Sequence, residues 1–206
     1  INAKTKKMSL RYGLIDMKKV ITGYLKGNYN DSSDKFETFN GDSLTSWNDF
    51  SWNSKHYSTS IVIPSEFTSK IKTDGNKSII LDSKIHTITH VLVNASKILT
   101  KSESNDIDAY YENGIIHLFD NTSDGYNGCS KMIYDNFENI MNICYDLLKE
   151  CDCPTDEKQK KQVSQGEEWG GCPKCTFTTN YCQTKNKKLS KKDALEFFSI
   201  FKKDKK

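Results

Sequence analysis

Four cysteines in the last third of this 206-residue chain are the residues best suited to chemistry. They form two close pairs, Cys151-Asp152-Cys153 and Cys172-Pro173-Lys174-Cys175, separated by eighteen residues. Two short turns that each present two thiolates satisfy a tetrahedral Zn²⁺ ion, and the second pair has the C-x-x-C spacing of a zinc knuckle. A structural zinc ion contributes about 10–16 kcal/mol to folding at neutral pH. We therefore predict Zn²⁺ as the cofactor, with Cys151, Cys153, Cys172 and Cys175 as its ligands.

Two disulfides are the alternative for the same four thiols. The chain contains seven cysteines, an odd number, and no apolar run typical of a secretory signal follows Ile1. These features favour reduced thiols in the cytoplasm or nucleoid, or in the nucleus if the source is eukaryotic. A secreted interaction domain held by disulfides stays open as a competing hypothesis. Of the other cysteines, Cys144 is expected to pack in the core, and Cys129 and Cys182 are expected to be structural or free. Cys182 is the better candidate of these two to replace one of the four metal ligands.

A pair of histidines gives a second pattern. His86 and His90 are spaced one helical turn apart, as in the H-E-x-x-H motif of zinc proteases, but Thr87 stands where the general base would be. Packed, hydrogen-bonded histidines are the favoured interpretation. The competing enzyme hypothesis is a nuclease or hydrolase that uses His86, His90 and Asp120 at a second metal.

Phosphate-binding motifs are weak. The sequence has neither a P-loop nor a dinucleotide-binding glycine fingerprint. The turn Gly125-Tyr126-Asn127-Gly128 follows a predicted strand and precedes a predicted helix, so it is either a tight turn or an anion-binding junction. We expect no catalytic activity, and no ATP hydrolysis, from this chain alone.

The charge is concentrated at one end of the sequence. Residues 183–206 carry nine lysines against three acidic residues, a net charge of +6, within a chain of net charge +3. Such an end is suited to phosphate contacts, or is simply a solvated lysine-rich tail. The candidates for nucleic-acid contact, or else for a structural role, are His86, His90, Asp120, Lys187, Lys188, Lys191 and Lys192. No apolar stretch approaches the ~20 residues of a membrane span, so we expect no membrane partner.

The hydrophobic pattern predicts an α+β fold in which helices pack on a small mixed or antiparallel sheet, with a C-terminal zinc-binding subdomain. Residues 28–55 have no period of 2 or 3.6 and are predicted to be an insertion loop within a single domain of residues 1–200. We place the zinc site at 151–175, a closing helix at 189–201 and a disordered basic tail at 202–206. The remaining predicted elements are strands at Val20–Leu25, Ser60–Pro64 and Ile115–Asp120 and helices at Ser78–Leu99 and Phe137–Leu148.

Several of these segments, in this order, resemble the C-terminal zinc-binding (MZB-type) domain of MrfA-like and RecQ-like superfamily-2 DNA helicases, a domain also present in DrmB proteins of the DISARM phage-defence system. The similarity covers residues 18–200, with departures at the glycine turn, the loop between the cysteine pairs and residues 28–55. The segments that carry it are Val20–Tyr24, Tyr57–Pro64, Ile85–His90, His117–Asp120 with Gly125, the four cysteines and Asn186–Leu195.

The resemblance implies a zinc-stabilised module that handles nucleic acid for an ATP-dependent DNA helicase. The partners would be single- or double-stranded DNA and a helicase motor, in the same polypeptide or in a partner subunit. DNA repair and phage defence are the processes that it suggests. A stand-alone scaffold subunit of a phage-defence complex is the alternative within the same family.

Overall fold

A computed structural model describes residues 2–3, 6–24, 27–30, 35–38, 45–64, 83–153, 172–178 and 189–202. By its contacts the chain divides into two compact units, one formed by residues 1–14 and 56–206 and the other by residues 15–55. Within the described residues, no helix combines the length and the apolar character that crossing a bilayer requires.

A four-stranded sheet is the main β structure, in the strand order β3-β6-β8-β7. The central pair, β6 and β8, is antiparallel, with Ser58 opposite Phe119 and Val62 opposite Ile115. Strand β7 pairs antiparallel with β8 on its other side. Two short antiparallel pairs, β1–β2 and β4–β5, complete the described strands. The strand bounds are β1 Asn2–Ala3, β2 Lys6–Lys7, β3 Ser9–Tyr24, β4 Gly27–Asn30, β5 Lys35–Thr38, β6 Thr45–Val62, β7 Ile107–Glu112 and β8 Ile115–Asp120.

The β7–β8 hairpin follows from its turn residues. Asn113 and Gly114 have φ angles of 48° and 82°, the left-handed conformation that a two-residue hairpin turn requires at both positions. Asparagine tolerates this conformation and glycine adopts it without strain. The predicted strand Ile115–Asp120 is confirmed with the same bounds.

Four helices are described: α1 Ser83–Thr100, α2 Cys129–Asp135, α3 Phe137–Lys149 and α4 Lys191–Phe201. The apolar stripe of α3 is buried as its spacing predicts, with Phe137, Ile140, Met141, Cys144 and Leu148 inside. Helix α4 begins after Ser190, whose Oγ accepts a hydrogen bond from the Asp193 backbone N–H, the N-cap contact that the sequence indicates.

The core lies where α1 packs against α3, α4 and β7. Helix α1 is buried on nearly all sides, because almost every residue from Ile85 to Ser96 is inaccessible to solvent. The aromatic side chains Phe197, Phe198 and Phe201 bring α4 into the same core. The predicted α+β class is thus confirmed.

Two expectations differ from the structure. The described parts of residues 28–55 are strands rather than loop: they belong to β4, β5 and β6. In β6, Ser51, Trp52 and Asn53 are all exposed, and a stretch without a buried face needs no alternating pattern, so the sequence gives no signal for this part of the strand. In the predicted disordered tail, Lys202 donates a hydrogen bond to Asp146 at 3.1 Å; residues 203–206 lie outside the described residues.

Candidate metal centre

The four predicted ligand cysteines lie together. Helix α3 ends at Lys149 and delivers the chain to Cys151 and Cys153, while Cys172 and Cys175 come from the short described segment 172–178. All four Sγ atoms lie within 4.8 Å of one another. The Sγ atoms of Cys151 and Cys172 are 3.6 Å apart, and those of Cys153 and Cys175 are 3.7 Å apart.

These separations fit a tetrahedral metal site. With Zn–S bonds of about 2.3 Å, the sulfurs of a regular tetrahedron lie about 3.8 Å from one another. A disulfide instead requires about 2.05 Å between its sulfurs. All six cysteines that the structure describes are free, so the four thiols form a metal-ligand set rather than two disulfides.

The protonation chemistry of the thiols points the same way. Burial, reinforced by the charges of the neighbouring cysteines, raises the pKa of the Cys175 thiol well above its ordinary value. This thiol therefore loses its proton only where a cation offsets the charge that its thiolate would add to the cluster. A divalent metal ion supplies that charge and holds its ligands in the deprotonated form.

The second cysteine pair is held in a compact turn by its own backbone. The carbonyl oxygen of Cys172 accepts hydrogen bonds from the backbone N–H groups of Cys175, Thr176 and Phe177, at 2.8–3.1 Å. In return, the buried Thr176 hydroxyl accepts a hydrogen bond from the Cys172 N–H at 2.9 Å. We call residues 172–178 the knuckle segment. Its conformation directs both sulfurs to the same point, which a metal site requires.

Helix α1 fixes the knuckle segment in place. His90 Nδ1 donates a hydrogen bond to the Thr176 carbonyl at 3.0 Å. One turn later, Asn94 Nδ2 donates to the carbonyls of Cys175 at 3.1 Å and Phe177 at 2.7 Å. These side chains therefore position a ligand-bearing backbone instead of binding metal themselves. Sequence reasoning singled out His90 but missed Asn94, whose signal was its place four residues after His90 on the same helical face.

The second metal site of the enzyme hypothesis is not assembled. The His86 and His90 rings pack edge to face with centroids 4.3 Å apart, and both are buried. Among the described residues, the four cysteines are the one group of three or more potential ligands close enough to share an ion. The Asp120 carboxylate instead accepts hydrogen bonds from backbone N–H groups.

Asp120 closes the turn between β8 and α2. Its fully buried carboxylate accepts hydrogen bonds from the backbone N–H groups of Asn127 and Gly128 at 3.1 Å and of Ser130 at 2.6 Å. The backbone carbonyl of Asp120 accepts a further bond from His56 Nδ1 at 2.8 Å. The N–H groups that would hold an external anion at this junction are thus occupied by an internal carboxylate.

The candidate DNA-binding lysines have different surroundings. Lys191 Nζ donates to the Cys151 carbonyl at 2.8 Å and to Cys153 Sγ at 3.2 Å, so it faces the sulfur cluster. Although burial opposes its charge, the hydrogen bond to Cys153 and the neighbouring thiols raise the pKa of Lys191. Lys192 is exposed to solvent, whereas Lys187 and Lys188 lie outside the described residues.

The two other cysteines that the structure describes, Cys129 and Cys144, stand apart from the cluster. Cys144 is fully buried in α3, and its Sγ lies 3.8 Å from the Val91 carbonyl, as expected of a packed core thiol. Cys129 is half-buried at the start of α2. Cys182 lies outside the described residues.

Comparison with known proteins matches residues 88–176 to the family described as the MrfA Zn-binding domain. This range contains both cysteine pairs, His90 and Asn94. The uncharacterized protein MJ1572.1 of Methanocaldococcus jannaschii is 27% identical over 121 residues, which is 54% of this chain and 93% of that protein.

A similar fold occurs in a crystal structure of the DUF1998 helicase MrfA bound to DNA, with a TM-score of 0.57 and 16% identity. The match covers 95% of this chain and 23% of that one, so this chain spans less than a quarter of the helicase's length. The resemblance inferred from the sequence is confirmed by the family match and by the sulfur geometry. Between Ile88 and Thr176, this chain is similar to the MrfA Zn-binding domain.

Proposed function

We propose that this chain is a zinc-stabilised nucleic-acid-handling module of an ATP-dependent DNA helicase or of a helicase-associated repair or defence complex. The observation that carries the proposal is the cluster of four sulfurs, all within 4.8 Å of one another, in the segment that matches the MrfA Zn-binding domain. The sequence has no phosphate-binding motor motif, so ATP-driven movement would come from another part of the polypeptide or from a partner subunit.

Zinc is the ion that this donor set suits best. Four thiolates in a tetrahedron are typical of Zn²⁺ or of iron in sulfur-rich sites, and the matched family binds zinc. With four protein ligands the site has no open coordination position, so the ion would be structural and not catalytic. The thiols must stay reduced to bind it, so the proposal implies a reducing compartment for the module.

Two observations support contact with DNA: the positive charge of residues 183–206 and the fold shared with MrfA. Because Lys191 is turned toward the cysteines, phosphate contacts would fall to Lys192, Lys187 and Lys188. The MrfA structure with the similar fold is bound to DNA. Lysine contacts to phosphates release counterions, so binding should weaken steeply as salt rises.

Metal analysis tests the first part of the proposal. Purified, reduced protein should contain about one zinc ion per chain by elemental mass spectrometry. Cys175→Ser should lose the metal and unfold at lower urea concentration, because a buried ligand is removed. Cys129→Ser is the matched control, because Cys129 is a half-buried thiol outside the cluster. This variant should keep both the zinc content and the urea stability of the wild type. Folded wild-type protein without stoichiometric metal, or equal zinc loss in the control, would contradict the proposal.

DNA binding tests the second part. Fluorescence anisotropy with labelled single- and double-stranded oligonucleotides should give affinities that fall with salt. Replacing Lys187, Lys188 and Lys192 with alanine should reduce the log–log salt slope by about 2–3. The control is the same replacement at Lys18, Lys19 and Lys55, which removes equal charge from β3 and β6. Equal loss in both triple variants would argue against a specific DNA-binding end.

A further inference from the structure

Four tyrosines form a continuous row of rings within the unit formed by residues 1–14 and 56–206. Their order is Tyr126, Tyr57, Tyr12 and Tyr134, and each ring centroid lies 5.2–5.8 Å from the next. Tyr12 and Tyr57 are stacked, with their planes 18° apart, while Tyr126 meets Tyr57 edge-on. We call these residues the tyrosine row.

The row is assembled from four separate segments. Tyr12 lies on β3, Tyr57 on β6, Tyr126 in the turn after β8 and Tyr134 on α2. The backbone fixes its middle, because the Tyr57 N–H donates to the Gly125 carbonyl at 2.9 Å. Three of the four rings therefore lie on strands or a helix, and the turn that carries Tyr126 is joined to β6 by this hydrogen bond.

Most of the row faces solvent. Tyr126, Tyr57 and Tyr134 are 52%, 38% and 37% exposed. Since a buried tyrosine covers about 150–250 Å², these rings leave roughly 200–300 Å² of amphipathic surface in contact with water. Tyrosine is enriched at protein interfaces, where it offers contact area at a small entropic cost.

The row already holds one cation. Lys131 Nζ lies 5.6 Å from the centroids of both Tyr12 and Tyr134, within the range of a cation–π contact. The same ammonium pairs with Asp135, one turn later on α2. One end of the row therefore combines tyrosine faces with a carboxylate to bind a positive charge from within the chain.

The end formed by Tyr57 and Tyr126 also combines tyrosine rings with a carboxylate, but among the described residues no cation lies over these two rings. Asp124 is exposed beside Tyr126 and accepts a hydrogen bond from the Tyr126 N–H at 3.4 Å. At the Lys131 end, beyond Tyr134, an open recess of about 600 Å³ is lined by Asp135 and by one further carboxylate, that of Glu138. Three carboxylates against Lys131 give the row and its rim a negative balance.

We propose that the tyrosine row is a docking surface for an arginine-bearing segment of a partner protein. A guanidinium would lie on Tyr57 and Tyr126 with Asp124 as its counter-charge, as Lys131 lies on Tyr12 and Tyr134 with Asp135. Arginine suits this place better than lysine, because its planar, weakly hydrated group stacks on rings and pairs with carboxylates at once. The acidic rim disfavours the phosphates of a nucleic acid, so this surface is distinct from the proposed DNA contact.

The test uses the full chain and a labelled ten-residue peptide of alternating arginine and serine, with twin peptides that carry lysine or neutral citrulline. Anisotropy titrations should rank binding as arginine above lysine above citrulline. Tyr126→Ala should weaken arginine-peptide binding about fivefold, the effect of losing about 1 kcal/mol of cation–π energy. Asp124→Asn should weaken it as well, and both residues are exposed enough for the fold to tolerate the changes.

Tyr110→Ala is the matched control, because Tyr110 is 51% exposed on β7 and is not part of the row. It should bind the arginine peptide like the wild type. Three results would overturn the proposal: equal binding of arginine and lysine peptides, equal loss in Tyr126→Ala and Tyr110→Ala, or a single-stranded oligonucleotide that binds through Tyr126 in place of the peptide. None of these three variants should change the zinc content, so a negative result with the peptides leaves the metal-site proposal intact.

Discussion

Asn94→Ala should weaken zinc binding although Asn94 is not a ligand. The change removes two hydrogen bonds to the knuckle segment, from Asn94 Nδ2 to the carbonyls of Cys175 and Phe177. A hydrogen bond of this kind contributes about 1 kcal/mol net, so about 2 kcal/mol of organisation is lost from the segment that presents Cys172 and Cys175. This free energy corresponds to a roughly 30-fold weaker affinity for the ion. Residues that orient metal ligands show losses of about 10–100-fold in other sites.

Competition with a chromophoric zinc chelator at constant pH measures this affinity directly. Circular dichroism at saturating zinc should show that Asn94→Ala has the wild-type secondary structure, which separates a binding defect from a folding defect. Asn139→Ala is the control, since Asn139 is an exposed asparagine on α3. Its zinc affinity should match that of the wild type.

An affinity within twofold of the wild type for Asn94→Ala would refute the reasoning. It would mean that the turn formed by Cys172, Thr176 and the intervening backbone organises itself without α1. An equal loss in Asn139→Ala would also refute it, because a general loss of stability would then account for the effect.

Two further predictions concern stability and are measured by urea unfolding. Asp120→Asn should lower the unfolding free energy by about 3 kcal/mol, because the Asp120 carboxylate accepts hydrogen bonds from three backbone N–H groups and the variant loses one of its two oxygens. Asp16→Asn, at an exposed strand position, should change the unfolding free energy little. Burial, partly opposed by Glu112, lowers the pKa of His117 below its ordinary 6.5, so the unfolded chain binds the proton more readily. The unfolding free energy should therefore fall as the pH drops below about 6.5, and His117→Gln should lack that part of the pH dependence; identical pH profiles for the two proteins would contradict the assignment.

Elements with a strong local signal could be predicted from the sequence. The stripe of α3 depends on one buried face, the hairpin on the left-handed conformation of Asn113 and Gly114, and the start of α4 on the hydroxyl of Ser190. Each signal is set by neighbours within a few residues. In the long strands β3 and β6, the segments Val20–Tyr24 and Ser60–Val62 carry such a signal, whereas Ser51–Asn53 of β6 are exposed and show no alternation. Helix α2, with seven residues, is too short to show a period.

The candidate site divides in the same way. Cysteine type and spacing identified the four thiols, since ligands must come in close pairs for two turns to share an ion. The contacts that orient those thiols could not be predicted from the sequence, because they join residues far apart in it. Asn94 reaches Cys175 across 81 positions, and Lys191 reaches Cys153 across 38. Asp120, considered as a possible metal ligand or phosphate contact, instead serves the backbone of its own turn.

The internal carboxylate at the β8–α2 turn has a practical consequence for experiments on ionic strength. Its partners are backbone groups and it is sealed from solvent, so dissolved ions neither reach it nor compete with it. Added salt should therefore loosen contacts made by lysines at the surface while this junction keeps its shape. In a salt titration of ligand binding, this junction therefore needs no correction for a change in its own shape.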